Sequence, residues 1–167
     1  MENQPDYKRQ SSLFGLIFGL FSAFLLYFNY KFELESTFIQ SIISVIVAVL
    51  VVFFPINQYK IDNANILKIS DALKIGLITG VIAGLIYAVY TYFHYNQIEP
   101  EFITASLEES YKAIEKESGN MTEEQIQQAK DMTKAFVSPF SIATINLISI
   151  LLKSFVISLV IGLIKKS

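Results

Sequence analysis

The chain has no cysteine and a single histidine. The first absence removes disulfides, thiolate nucleophiles and cysteine metal sites, and it leaves the redox compartment open. One histidine, His94, builds no histidine metal site alone. Serine–histidine chemistry would have to rest on His94, and no recognisable motif surrounds it. Charge is scarce as well: 17% of the 167 residues are charged, where a soluble domain carries about a quarter. With 53% hydrophobic residues and a mean hydropathy of +0.47, the balance belongs to the membrane class. A net charge of −2 and the lack of a basic stripe give no case for nucleic-acid binding.

What is present is a set of apolar runs. Residues 73–95 carry Gly76, Gly80 and Gly84 four apart, with Lys74 and His94 as the ionisable groups near the ends. At 1.5 Å per residue this is roughly 35 Å of helix, enough to cross a hydrocarbon core of about 30 Å. In water each glycine inside a helix costs about 1 kcal/mol against alanine. In lipid, small residues on one face let backbones approach and pack. Glycine is also commoner in membrane helices generally, but the doubled spacing favours a packing face. Three other helices make packing inside the chain the first expectation, ahead of a homodimer contact.

Residues 13–32 form a first span in which Gly15 and Gly19 repeat the four-residue spacing. It ends in Phe28-Asn29-Tyr30-Lys31 without a small-residue cleavage site, so it reads as uncleaved. After a connection with Lys31, Glu33 and Glu35, a second span covers residues 37–54, and Pro55 is expected to close it. Its β-branched stretch would suit a strand in water, but in lipid a lone strand leaves its backbone unsatisfied. Asn63-Ala64-Asn65 looks like a turn. The fourth span, residues 140–164, follows Ser138-Pro139 and ends in Lys165-Lys166; Ser154, Ser158 and Gly162 repeat the small spacing there. Antiparallel to the third span, that ladder is the expected partner of the three glycines.

Between the third and fourth spans lies a polar segment. Pro100 opens a helix with Ile103, Leu107, Tyr111 and Ile114 on one face. Gly119-Asn120 stops it, and Thr122 with Gln125 has the spacing of a capping box that starts a second helix. The expected fold class is therefore all-α: an integral membrane four-helix bundle with an extramembrane αα-hairpin over residues 100–136. Its acids, Glu99, Glu101, Glu108 and Glu109 among them, lack the regular spacing of a calcium loop and read as a solvated face. Lysine and arginine collect at Lys8, Arg9, Lys60, Lys68, Lys74, Lys165 and Lys166, which places both termini in the cytoplasm and the hairpin outside. His94, beside Tyr92 and Tyr95, is expected at the outer interface.

Lys153 falls in the middle of the fourth span, where a charge costs at least about 2.5 kcal/mol on insertion scales. Asn146, Ser149 and Lys153 share one helical face by their spacing. No acid occurs inside the four apolar cores, so no intramembrane ion pair is available within one chain. Lys153 is then neutral, solvated by a crevice, hydrogen-bonded to groups such as Ser41, Ser44 or Asn146, or paired with another protein. These three residues are the candidates for a ligand or partner contact; no catalytic, cofactor-binding or metal-ligating set is expected.

The run at 68–95 (KISDALKIGLITGVIAGLIYAVYTYFHY), the Glu99-Pro100-Glu101-Phe102 step, Met132 and Ser138-Pro139-Phe140 resemble the domain of unknown function 4199 family, small four-span proteins of Bacteroidetes-type bacteria. The resemblance implies the same architecture and an inner-membrane location, and it transfers no catalytic or binding residue. The expected function is a non-enzymatic accessory or scaffolding subunit whose partners are the lipid bilayer and a membrane protein or a second copy. The alternative is a small oligomeric transporter or channel with a polar path along the fourth span.

Overall fold

The computed structural model describes residues 6–34 and 38–167, with the side chains of Phe38 and Asn120 left aside. Glu35 and the expected start of the second span at residue 37 lie outside the described residues. The described chain is helical: α1 (Tyr7–Lys31), α2 (Phe38–Asp62), α3 (Ile69–Phe93), α4 (Pro100–Glu117), α5 (Glu123–Phe136) and α6 (Pro139–Lys165). Among the described residues, α1, α2, α3 and α6 are long and apolar enough to cross a membrane. Two compact units divide the chain, residues 1–88 with 146–167, and residues 89–145.

In the first unit, Asp6 caps α1 by accepting from the Lys8 amide at 3.0 Å, satisfying one of the free donors of the first turn. Pro55 does not end α2, contrary to the sequence expectation; the helix runs on to Asp62 with Pro55 buried inside it. Proline removes one amide donor and crowds one carbonyl, and a tightly packed membrane helix absorbs that where a soluble one would break. What stops α2 is the turn beyond it. Asn63 and Asn65 donate to the carbonyls of Tyr59 and Lys60, and Ala64 and Asn65 take positive φ of 51° and 64°, the left-handed close of a helix.

Helix α3 is the centre of this unit. Its apolar window is 39% buried, against 28% for each of the other three spans. The core joins Phe18 of α1, Ala48, Val52 and Ile56 of α2, Ala72, Ile75 and Ala83 of α3, and Ile150 and Ile161 of α6. The outward faces are apolar too: Leu16, Leu20 and Phe24; Ile42, Ile46 and Val49; Leu77, Val81 and Leu85; Leu152, Val156 and Val160 are all exposed. A bundle in water would carry charge on those stripes. Lipid is the solvent in which this sequence and this packing agree.

Polar groups close the two ends of the bundle. At one end Lys60 Nζ donates to the Lys165 carbonyl at 2.7 Å, Lys165 Nζ donates to Asn57 and sits 4.4 Å from the Phe53 ring centroid. Ser167 Oγ donates to the Asn65 carbonyl at 2.7 Å. The Lys60 contact caps the last carbonyl of α6 with a cation. At the other end Asn29 and Gln40 exchange two amide hydrogen bonds, 3.0 and 3.3 Å, tying α1 to α2.

In the second unit, Pro100 occupies the first turn of α4, and the three-residue turn Ser118–Asn120 ends it. Thr122 and Gln125 form both arms of a capping box that starts α5. Lys130 Nζ meets Glu115 Oε1 at 2.6 Å and lies 5.6 Å from the Tyr111 ring centroid, so α5 folds back along α4. The Lys130 ammonium, through its hydrogen bond first and its charge second, holds the exposed Glu115 carboxyl below the usual range. Neither α4 nor α5 has a buried residue; they are amphipathic helices of modest packing.

Candidate functional site

Small residues set how closely the helices of the first unit approach. A Cβ on Gly80 would lie 2.8 Å from Ser154 Cβ and 3.0 Å from Ser154 Oγ; one on Gly76 would run into Ser158. Gly84 faces Leu147, and Gly162 faces Ala72, whose Cβ is 3.0 Å from where its own would stand. The order of these pairs makes α6 antiparallel to α3. On the other flank of α3, a Cβ on Gly15 would sit 2.8 Å from the Thr79 carbonyl oxygen, and one on Gly19 2.9 Å from that of Ala83. Here the order runs the same way, so α1 is parallel to α3. That second pairing was not legible from spacing, which shows that two glycines share a face but not which helix meets it.

Thr79 Oγ1, buried between α1 and α3, donates at 2.9 Å to its own Ile75 carbonyl and lies 3.3 Å from the Ser11 carbonyl. Among the described residues, the buried Ser154 Oγ has no hydrogen-bond partner. In the space that glycine vacates, its methylene and hydroxyl fill volume, and its role is packing.

The three polar candidates of α6 divide. Asn146 and Ser149 are half-buried, while Lys153 is exposed on the flank of the bundle. Lys153 borders a groove of about 350 Å³ between α2 and α6, lined by Val45, Ala48, Leu152, Val156 and Ile157. Every other lining residue is aliphatic. Among the described residues Lys153 makes no hydrogen bond and no ion pair. Counting along α6, it stands about 20 Å of helix from either end, which is mid-depth in a bilayer of about 30 Å.

A second polar cluster escaped the sequence reading. His94 is buried, and it opens a single π-helical turn, His94–Ile98. Its Nδ1 is 3.3 Å from the Tyr90 hydroxyl and its Nε2 is 3.1 Å from Glu99 Oε2. Facing an ionised carboxylate, which only accepts, Nε2 would be the donor of this pair. The π turn matters here because α-helical geometry faces residues three or four apart, and Glu99 is five beyond His94. Tyr95 meets His94 edge to face at 5.2 Å and stacks on Phe102 at 4.6 Å. The cluster locks the exit of α3 into the start of α4.

Four apolar spans, outward faces suited to hydrocarbon and polar groups gathered at the bundle ends define a multi-pass helical membrane protein. A family model described as "Protein of unknown function (DUF4199)" matches residues 13–167, and the chain belongs to that family. No curated protein and no solved structure matches it.

Proposed function

We propose that the protein is a non-enzymatic accessory or scaffolding subunit of a bacterial inner membrane, working through helix packing and contact with another membrane component. The observation that carries this reading is Lys153: a cation exposed at mid-span beside an aliphatic groove. Placing it there costs at least about 2.5 kcal/mol, a burden that a helix used only for anchoring would shed by mutation to leucine. The clusters Lys8 with Arg9, Lys60 with Lys68 and Lys74, and Lys165 with Lys166 put one end of the bundle in the cytoplasm. The α4–α5 segment then lies outside, its acidic face available for docking.

A polar path along Asn146, Ser149 and Lys153 is the competing reading, and the aliphatic groove lining speaks for the partner role. The test separates them. Purified protein in liposomes should pass no ions or small solutes above the lipid background, while a photo-crosslinker at Val156 should yield a discrete adduct in native membranes. Solute flux that disappears with Lys153→Leu would replace the scaffold reading with the transport one.

A further inference from the structure

The unpaired ammonium and the groove beside it specify what they accept. We infer that Lys153 and the α2–α6 groove bind a transmembrane helix of another protein that carries an aspartate or glutamate near the middle of its span. This deepens the accessory-subunit reading above and rests on it.

Lys153 lies near the midpoint of α6, roughly 15 Å from either edge of the hydrocarbon. Its stem covers only part of that distance, so neither water nor a lipid phosphate meets the ammonium without thinning the bilayer. Val45, Ala48, Leu152, Val156 and Ile157 offer no acceptor, and no hydrogen bond or ion pair to Lys153 comes from elsewhere among the described residues. A cation held in hydrocarbon is stabilised chiefly by an opposite charge at the same level, since Coulomb attraction is least screened there.

A second copy does not supply that charge. The only acids within α1, α2, α3 and α6 are Asp62 and Asp71, at the last turn of α2 and the first turn of α3. Both are at the lysine-rich end of the bundle, far from the level of Lys153. Asp71 is moreover 3.3 Å from Lys74. The carboxylate must come from a different chain. Shape agrees with this: α2 and α6 flank the groove, Ala48 is its small residue, and a third helix laid along it would bury Val156 and Leu152 against its own side chains. Small-residue floors beside a polar contact are how helices recognise each other in lipid.

Model transmembrane helices provide a defined probe. Three leucine-rich peptides, identical except for Asp, Asn or Leu at the centre, are reconstituted with the full-length protein labelled at Ser167→Cys, and association is followed by energy transfer. The Asp peptide should bind about tenfold more tightly than the Leu peptide, with Asn between them. Lys153→Leu should abolish the difference, and Lys153→Asp should transfer the preference to a peptide with a central lysine. Because Lys153 is exposed, both variants should unfold like the parent protein in detergent. Equal binding of the three peptides overturns the inference. So does Lys153-dependent energy transfer between two labelled copies without peptide, which would make the occupant a second copy. Failure of the accessory reading has a different signature, solute flux in peptide-free liposomes.

Discussion

Gly80→Ala isolates the packing argument in one methyl group. The new Cβ would meet Ser154 Cβ at 2.8 Å and Oγ at 3.0 Å, so α6 must open the gap to the 3.4 Å of ordinary contact. Overpacking of this kind costs about 1–3 kcal/mol. Alanine returns about 1 kcal/mol in helix propensity, leaving a net loss of about 0–2 kcal/mol. Ser154→Gly removes the obstructing atoms along with a buried hydroxyl that has no partner among the described residues. The double variant should therefore recover most of the loss, with a coupling energy of about 1–2 kcal/mol. Gly119→Ala is the control, because among the described residues nothing beyond its chain neighbours lies within 4 Å of its added methyl; it should shift stability by less than about 0.5 kcal/mol. Reversible unfolding in mixed micelles, followed by helicity, measures all four proteins. If the cycle closes with no coupling, then α3 and α6 do not meet at these residues.

Other consequences follow from the polar contacts. Glu115, held low by Lys130, contributes stability that is present above the ordinary carboxylate pKa and fades as pH falls through its depressed value; Lys130→Met should raise its titration midpoint in carboxyl-labelled NMR, and an unmoved midpoint would remove the pair. His94→Phe keeps the ring volume but strips the contacts to Tyr90 and Glu99. It should destabilise by about 1–3 kcal/mol in a thermal melt in detergent, and an unchanged melt would deny the cluster its locking role. Asn29→Leu breaks the amide exchange with Gln40 and should cost about 0.6 kcal/mol, the mean for such bonds in membranes, measured in the same micelle titration.

Elements written in local chemistry were legible in the sequence. The capping box at Thr122 and Gln125, Pro100 at the head of α4, and the turn at Asn63-Ala64-Asn65 each depend on a few neighbouring residues. The four spans were legible because apolar length is itself the signal. Pro55 misled, since its effect is decided by the packing around it: its missing donor ends a helix in water but is tolerated where neighbouring helices hold the turn in place. His94 was hidden for a related reason. Helical spacing pairs it with Tyr90 but not with Glu99, and the π turn that does so has no sequence mark. Lys153, Asn146 and Ser149 could be put on one face by counting, whereas the direction of that face depends on where α2 and α3 lie.

The central claim is that lipid surrounds four helices of this chain and that consecutive spans alternate in direction. Since the chain has no cysteine, single cysteines at Leu34, Asn63, Gly119 and Ser167 can be labelled with an impermeant maleimide in vesicles of known orientation. Asn63→Cys and Ser167→Cys should react from one side, and Leu34→Cys and Gly119→Cys only from the other. Labelling of Asn63→Cys and Gly119→Cys from the same side would contradict the account.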